Sequence, residues 1–212
     1  YWATYLGDLV YSSPAIYYDQ VWIGSNSNRL YKFAIDGTVL GTYQTCGDIV
    51  APVWMAYSDG RVAVGSYVGA TPGQDTMYVI NNLLTSSSKF ADGGSLARTY
   101  TSCFSLNDST LYFGNDNDHL YCIDLSYSPP ALVYKYNSGG DVHSSPLYWD
   151  GVVYFGSNSD RFYALDDSTR QPRPYWPFVA NGDIGSSPAA SVPDGVVVVG
   201  CLDGHIYAFH ME

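Results

Sequence analysis

Five times the chain runs an apolar stretch into a glycine, crosses a short polar loop and returns through a tyrosine. The glycines are Gly24, Gly65, Gly114, Gly156 and Gly200, preceded by VWIG, VAVG, LYFG, VYFG and VVVG. The tyrosines are Tyr31, Tyr78, Tyr121, Tyr163 and Tyr207. Each apolar run follows a turn that begins at Asp19, Asp59, Asp108, Asp150 or Asp194. Upstream of each turn stands a stretch of small residues: SSP at 12–14, 144–146 and 186–188, APV at 51–53, and TSC at 101–103. Short strands separated by turns, repeating every ~40–50 residues, carry the period of a four-stranded propeller blade.

Physical roles follow from that period. The small-residue strand belongs nearest the axis, where blades crowd. The continuous apolar run is a strand buried on both faces between neighbouring blades. The tyrosine strand is half-buried, ring inward and hydroxyl toward a polar partner. An outer strand follows, as in TVLGTY, ALVYKY and PYWPFV. The polar loops SNSN, NDND and SNSD are rich in Asn and Asp, which tolerate left-handed backbone and bond their own main chain.

The last unit stops just after its tyrosine strand, and the chain opens with YWATYLGD, which matches YWPFVANGD before the fifth unit. The expectation is an all-β, five-bladed propeller of four-stranded antiparallel blades. Residues 1–6 would pair with the C-terminal blade and close the ring, abolishing open edges. One domain, 1–212, would hold blades at about 7–46, 47–94, 95–139, 140–181, and 182–212 plus 1–6.

Composition agrees with this class. The acidic residues are nineteen Asp and a single Glu, Glu212, beside 21 Gly and 21 Tyr. Asp and Gly serve turns, whereas Glu favours helices. A net charge of −11 with nine Lys plus Arg argues against nucleic acid and anionic membrane surfaces, which need clustered cations. No run of eighteen apolar residues is present, so no membrane span is expected. Cys46, Cys103, Cys122 and Cys201 lie 19 to 79 residues apart, without zinc spacing. Without a Met or leader at Tyr1, the chain reads as a mature fragment or a domain of a larger multidomain protein. Scarce lysine and the sequon Asn107-Asp108-Ser109 lean toward a secreted or other extracytoplasmic setting, whereas the cysteines lean intracellular.

Candidate site residues gather on one face. A Gly-Asp pair precedes the inner strand at Asp8, Asp48, Asp141 and Asp183, and those loops share a face with the polar loops after each glycine. Two readings stand: a ring of carboxylates at the channel mouth that attracts a cation such as Ca²⁺, or Asp residues that anchor their loops. Repetition in four of five units favours anchoring. His143, alone in its repeat position, stands next to the mouth with Asp141 as a metal-ligand pair or as plain surface. The second unit replaces its turn with SYVGATPGQDTM, adding six residues between Gly65 and Tyr78. Long loops on rigid scaffolds carry function, which singles out Tyr67 to Asp75. The five tryptophans suit packing between blades or, with Asn and Asp neighbours, stacking on sugar rings.

No nucleophile motif appears: GxSxG and HExxH are absent, and GATPGQD lacks the ending of a phosphate loop. Non-catalytic binding of a protein or glycan is the expectation. The stretch Gly140 to Trp176, GDVHSSPLYWDGVVYFGSNSDRFYALDDSTRQPRPYW, resembles the PQQ-repeat family. The resemblance covers all five units, best in the first, fourth and fifth. It implies a propeller, with Trp176 and Trp2 packing between blades. Family members include quinoprotein dehydrogenases, a lipoprotein of the outer-membrane barrel-assembly machinery, and domains appended to acyl-activating enzymes. The dehydrogenases carry larger rings, a Ca²⁺ site and a vicinal disulfide. This chain has no adjacent cysteines, so a degenerate quinoprotein ranks behind a scaffold and a lectin, and no PQQ is expected.

Overall fold

The computed structural model describes residues 1–56, 58–69, 75–94, 96–99, the backbone of 104–106, and 109–211. Much of the long second-unit loop (70–74), the TSC stretch with Cys103, two sequon residues (107–108) and Glu212 lie outside the described residues. Five antiparallel sheets follow one another along the chain. Sheet 1 holds β1 (Ala15–Tyr17), β2 (Gln20–Ser25), β3 (Arg29–Ala34) and β4 (Val39–Gln44). Sheet 2 holds β5 (Trp54–Met55), β6 (Val62–Ser66), β7 (Thr76–Ile80) and β8 (Ser87–Phe90). Sheet 3 holds β9 (Phe104–Leu106), β10 (Thr110–Gly114), β11 (His119–Asp124) and β12 (Ala131–Asn137). Sheet 4 holds β13 (Leu147–Trp149), β14 (Val152–Ser157), β15 (Arg161–Asp166), and an outer strand in two pieces, β16 (Gln171–Pro172) and β17 (Phe178–Val179), both paired with β15. Sheet 5 has three strands: β18 (Ala189–Ser191), β19 (Val196–Gly200) and β20 (Ile206–His210). Among the described residues no helix is long and apolar enough to cross a membrane.

Each inner strand starts just beyond the small-residue motif that was expected to form it. Proline lacks the N–H a ladder needs. The leading serine does other work: Ser12 Oγ accepts from Gly24 N at 3.3 Å, and Ser186 Oγ from Gly200 N at 2.9 Å. The polar loops behave as their residues dictate. Asn28, Asp118 and Asp160 sit at φ near +60°, and Gly204 takes the same place at +87°. All five repeat tyrosines have a hydroxyl partner. Tyr31 donates to Leu6 O (2.8 Å), Tyr163 to Ser138 O (2.7 Å), Tyr121 to Asp92 Oδ2 (3.0 Å) and Tyr207 to Asp203 Oδ2 (2.7 Å). Tyr78 accepts from Cys46 N at 3.1 Å.

The core lies between sheets. Four apolar clusters join sheets 1 and 2, 2 and 3, 3 and 4, and 4 and 5. Within each strand, alternate side chains face the previous or the next sheet. Across from the repeat glycine stand Leu30, Met77, Leu120 and Phe162, which point into the next sheet and are 0% exposed. The glycine is required for the same approach. A Cβ on Gly24 would stand 2.1 Å from Ile49 Cγ2, and on Gly114 it would stand 2.3 Å from the Val142 carbonyl oxygen.

The expected pairing of residues 1–6 with the C-terminal blade is not seen: residues 1–6 form no strand, and among the described residues β20 pairs with β19 alone. The opening segment instead packs on sheet 1. The Trp2 ring lies 5.3 Å from Phe33, its Nε1 donates to Ile35 O at 2.9 Å, and Leu6 O accepts from Tyr31. Trp176 stands 5.0 Å from Phe209 of sheet 5 in the same manner. The likeness of YWATYLGD to YWPFVANGD is therefore a likeness of packing. In both places an aromatic segment covers the sheet that follows it, and in residues 1–6 it has no strand to pair with among the described residues.

Candidate functional site

The loop before each inner strand meets the polar loop after each glycine through main-chain bonds. Asp48 and Tyr67 exchange two, each 2.8 Å; Asn158 N donates to Asp141 O at 2.9 Å and Leu202 N to Asp183 O at 3.0 Å. In sheet 3 the acceptor of this bond is Arg98 O, from Asp116 N at 3.0 Å, and in sheet 1 it is Leu9 O, from Asn26 N at 2.9 Å. In backbone register, then, the position reads Leu9, Asp48, Arg98, Asp141, Asp183. Asp8 stands one residue outside it and caps Leu9 N with its own carboxylate at 2.7 Å.

Register also aligns the facing loop residue: Asn26, Tyr67, Asp116, Asn158 and Leu202. Two groupings result along this edge. Around sheets 1 to 3, Tyr11, Asn26, Asp48, Val50, Tyr67 and Arg98 line a cavity of ≈ 520 Å³. The Arg98 guanidinium carbon lies 3.7 Å from the centre of the Tyr67 ring, a cation–π contact. A second hollow of ≈ 260 Å³ adjoins it, sharing Asp48 and Tyr67. Burial pushes the Asp48 carboxyl up, Asp8 adds to the rise, and Arg98 opposes it. Asp75 is 4% exposed and accepts from Val68 N at 2.8 Å. It anchors the start of the long loop and does not line the cavity; burial raises its pKa too, against the pull of that bond and of Arg98.

Further along, Asp116, Asp141 and His143 each present a donor atom within 4.8 Å of one another. His143 Nε2 is bonded to Asp116 Oδ1 at 2.8 Å, and Asn158 Nδ2 approaches its Nδ1 at 3.3 Å. The bond to Asp116 raises the imidazole pKa against desolvation, helped by the charges of Asp116, Asp141 and Asp183. Burial and the neighbouring Asp116 raise Asp141. Calcium takes six to eight oxygens, so an imidazole bonded to one of two carboxylates is a poor match for it; the donor set suits a borderline transition metal better.

In backbone register Arg98 stands between Asp48 and Asp141; Asp8 bears on Asp48, and Asp141 and Asp183 bear on His143. Sequence reasoning missed Arg98, because the third unit's loop is longer and carries no Gly-Asp pair to mark the register. The signal was present as a basic residue three positions before TSC. Of the four Gly-Asp carboxylates, Asp8 anchors its loop through its carboxylate; outside them, Asp203 accepts from Tyr207 Oη, His205 N and Asn181 N, which hold its pKa far below the usual range.

The tryptophans are mostly committed elsewhere. Trp22 is fully buried, Trp54 and Trp176 pack against inter-sheet clusters, Trp2 covers Phe33 while 40% exposed, and Trp149 is 43% exposed.

No protein-family model matches the chain, and no curated protein sequence does. Solved structures do. BamB from Moraxella catarrhalis matches 97% of this chain with a TM-score of 0.74 at 17% identity. The chain spans 60% of the length of that BamB chain. At this identity the likeness is one of fold, and it supports a β-propeller architecture.

Proposed function

We propose that the chain is a non-catalytic binding module whose loop-bearing edge, centred on Tyr67, Arg98 and Asp48, engages a macromolecular partner, a protein ahead of a glycan. One observation carries this reading. At the two facing positions the other sheets hold Asn, Asp or Leu opposite an acidic residue or Leu, and at the cavity an aromatic and a cation, Tyr67 and Arg98, stand in their place. A site built for a ligand breaks the symmetry of its scaffold, and an aromatic–guanidinium pair in a half-open hollow is the composition of an interface anchor. The resemblance to a repeat family with a barrel-assembly lipoprotein among its members is consistent with scaffolding and with an extracytoplasmic setting.

A lectin with a sugar site between every pair of blades fits less well, since Trp22, Trp54 and Trp176 are spent on packing between sheets. Quinone chemistry has no support in the residues along this edge.

The test is capture from an extract of the source cells by the immobilised protein, with the bound species identified by mass spectrometry. Wild type and Asp194→Asn, altered on the opposite edge, should retain one species that Tyr67→Ala and Arg98→Ala lose. Retention of that species by both cavity variants contradicts the proposal. Glycan-array binding abolished by Tyr67→Ala moves the reading to a lectin.

A further inference from the structure

Three side chains of metal-ligating type meet at the joint of sheets 3 and 4, one joint beyond the cavity. Asp116 stands in the loop between β10 and β11, and Asp141 and His143 in the segment between β12 and β13. One donor atom from each lies within 4.8 Å of the other two. Main-chain bonds hold both segments. Asp116 N donates to Arg98 O at 3.0 Å, Val142 N to Asn115 O at 3.1 Å and Asn158 N to Asp141 O at 2.9 Å. The donors therefore sit on backbone that the sheets position, which is what a first coordination shell needs. Solvent reaches them, since the His143 and Asp116 side chains are 35% and 24% exposed.

The repeat itself does not call for this set. At the joint of sheets 1 and 2 the same three positions hold Asn26, Asp48 and Val50, and at the joint of sheets 4 and 5 they hold Asn158, Asp183 and Gly185. The joint of sheets 2 and 3 begins with Tyr67 and Arg98, neither an imidazole nor a carboxylate. A scaffold requirement would recur; two carboxylates around an imidazole do not. The next unit also leaves room, because a Cβ on Gly185 would stand 3.8 Å from His143 Cβ and 3.7 Å from Asn158 Oδ1. An ion with bonds of about 2.1 Å keeps tetrahedral donors about 3.4 Å apart. His143 Nε2 and Asp116 Oδ1, now 2.8 Å apart around a hydrogen, need to part by only about 0.6 Å to admit one. Asn158 Nδ2 lies 3.3 Å from the other ring nitrogen. With its amide turned end for end, Asn158 accepts from Nδ1–H, the outer support that metal-bound imidazoles take.

We propose that Asp116, Asp141 and His143 bind one divalent first-row transition ion, with Zn²⁺ as its probe, through one imidazole nitrogen and two carboxylate oxygens. The donors select the ion. Calcium and magnesium take oxygen shells, whereas imidazole suits zinc and its neighbours in the row. Three protein donors leave at least one position to water or to a donor atom from a partner. The ion ties the β10–β11 loop to the segment before β13 and so clasps sheets 3 and 4 along their loop-bearing edge. The site is separate from the Tyr67 and Arg98 cavity, and each reading can fail without the other.

Calorimetric titration of Zn²⁺ into the chelator-stripped protein tests this. Wild type should bind one ion per chain, and His143→Ala and Asp141→Asn should each weaken binding by more than about tenfold. Tyr67→Ala should bind as wild type does. So should His205→Ala, which removes the rival imidazole–carboxylate pair, exposed His205 with Asp203. Long-range ¹H–¹⁵N spectra of the histidine rings give the same answer on wild type, should a variant misfold. Zn²⁺ should move the Nε2 resonance of His143 and leave those of His119, His205 and His210 in place. Failure to saturate by about 1 mM Zn²⁺ overturns the inference. So does binding unchanged in His143→Ala or Asp141→Asn, binding lost in His205→Ala, or a His143 resonance that does not move.

Discussion

Arg98 shows how one residue turns a repeat into a site. Its backbone does what Asp48, Asp141 and Asp183 do, while its side chain lies on Tyr67 and pulls against the raised pKa values of Asp48 and Asp75. Arg98→Ala should therefore raise both carboxyl pKa values further, measured by NMR titration of the side-chain carboxyl carbons. His143 makes the opposite kind of prediction. Its folded pKa is raised, so its bond to Asp116 contributes fully below the unfolded value near 6.5 and is lost as pH rises through the folded value. Asp116→Asn should bring the imidazole titration down, and the stability gap between the two proteins should close as pH rises through the folded wild-type value. A gap independent of pH contradicts the pairing. Cys122 is buried, and desolvation pushes its thiol up to about 12, whereas Cys46 is exposed. Native alkylation followed by peptide mapping should label Cys46 and spare Cys122.

At the level of strand and loop, the repeat glycines give a contrast within one chain. Gly114→Ala and Gly156→Ala would drive a methyl to within 2.2–2.3 Å of the next sheet's carbonyl oxygen, which backbone cannot yield cheaply. Each should cost ~1–3 kcal/mol of stability. Gly200→Ala should change monomer stability by no more than about 0.5 kcal/mol, because nothing but Ser186 stands near. Denaturant melts of the three proteins, read at dilution, check the pair of claims. This level was also the most legible from sequence. Asn28, Asp118 and Asp160 betray their left-handed turns by residue type alone, and the tyrosines announce themselves by spacing. The loops were less legible. One extra residue between Gly7 and the SSP motif shifts Asp8 out of register, and the longer third loop hides Arg98, since a pattern match fixes its ends but not the path between them.

For the whole molecule, sequence likeness and spatial closure part company. Residues 1–6 do resemble 175–180, and both pack as outer segments, yet resemblance names a kind of neighbour and does not say which sheet supplies it. Closure depends on the angle between successive sheets, a sum of small packing differences that no motif encodes. Four interfaces serve five sheets, leaving Ile206 and Val10 at opposite ends. The most direct measurement is hydrogen exchange, strand by strand, on the purified protein in dilute solution. An open series predicts that the amides of β20 turned away from β19 exchange freely, while the equivalent amides of β15, held by β16 and β17, stay protected. Equal protection of β20 and β15 in the monomer would mean that the fifth sheet is covered within one chain, and would contradict the open arrangement.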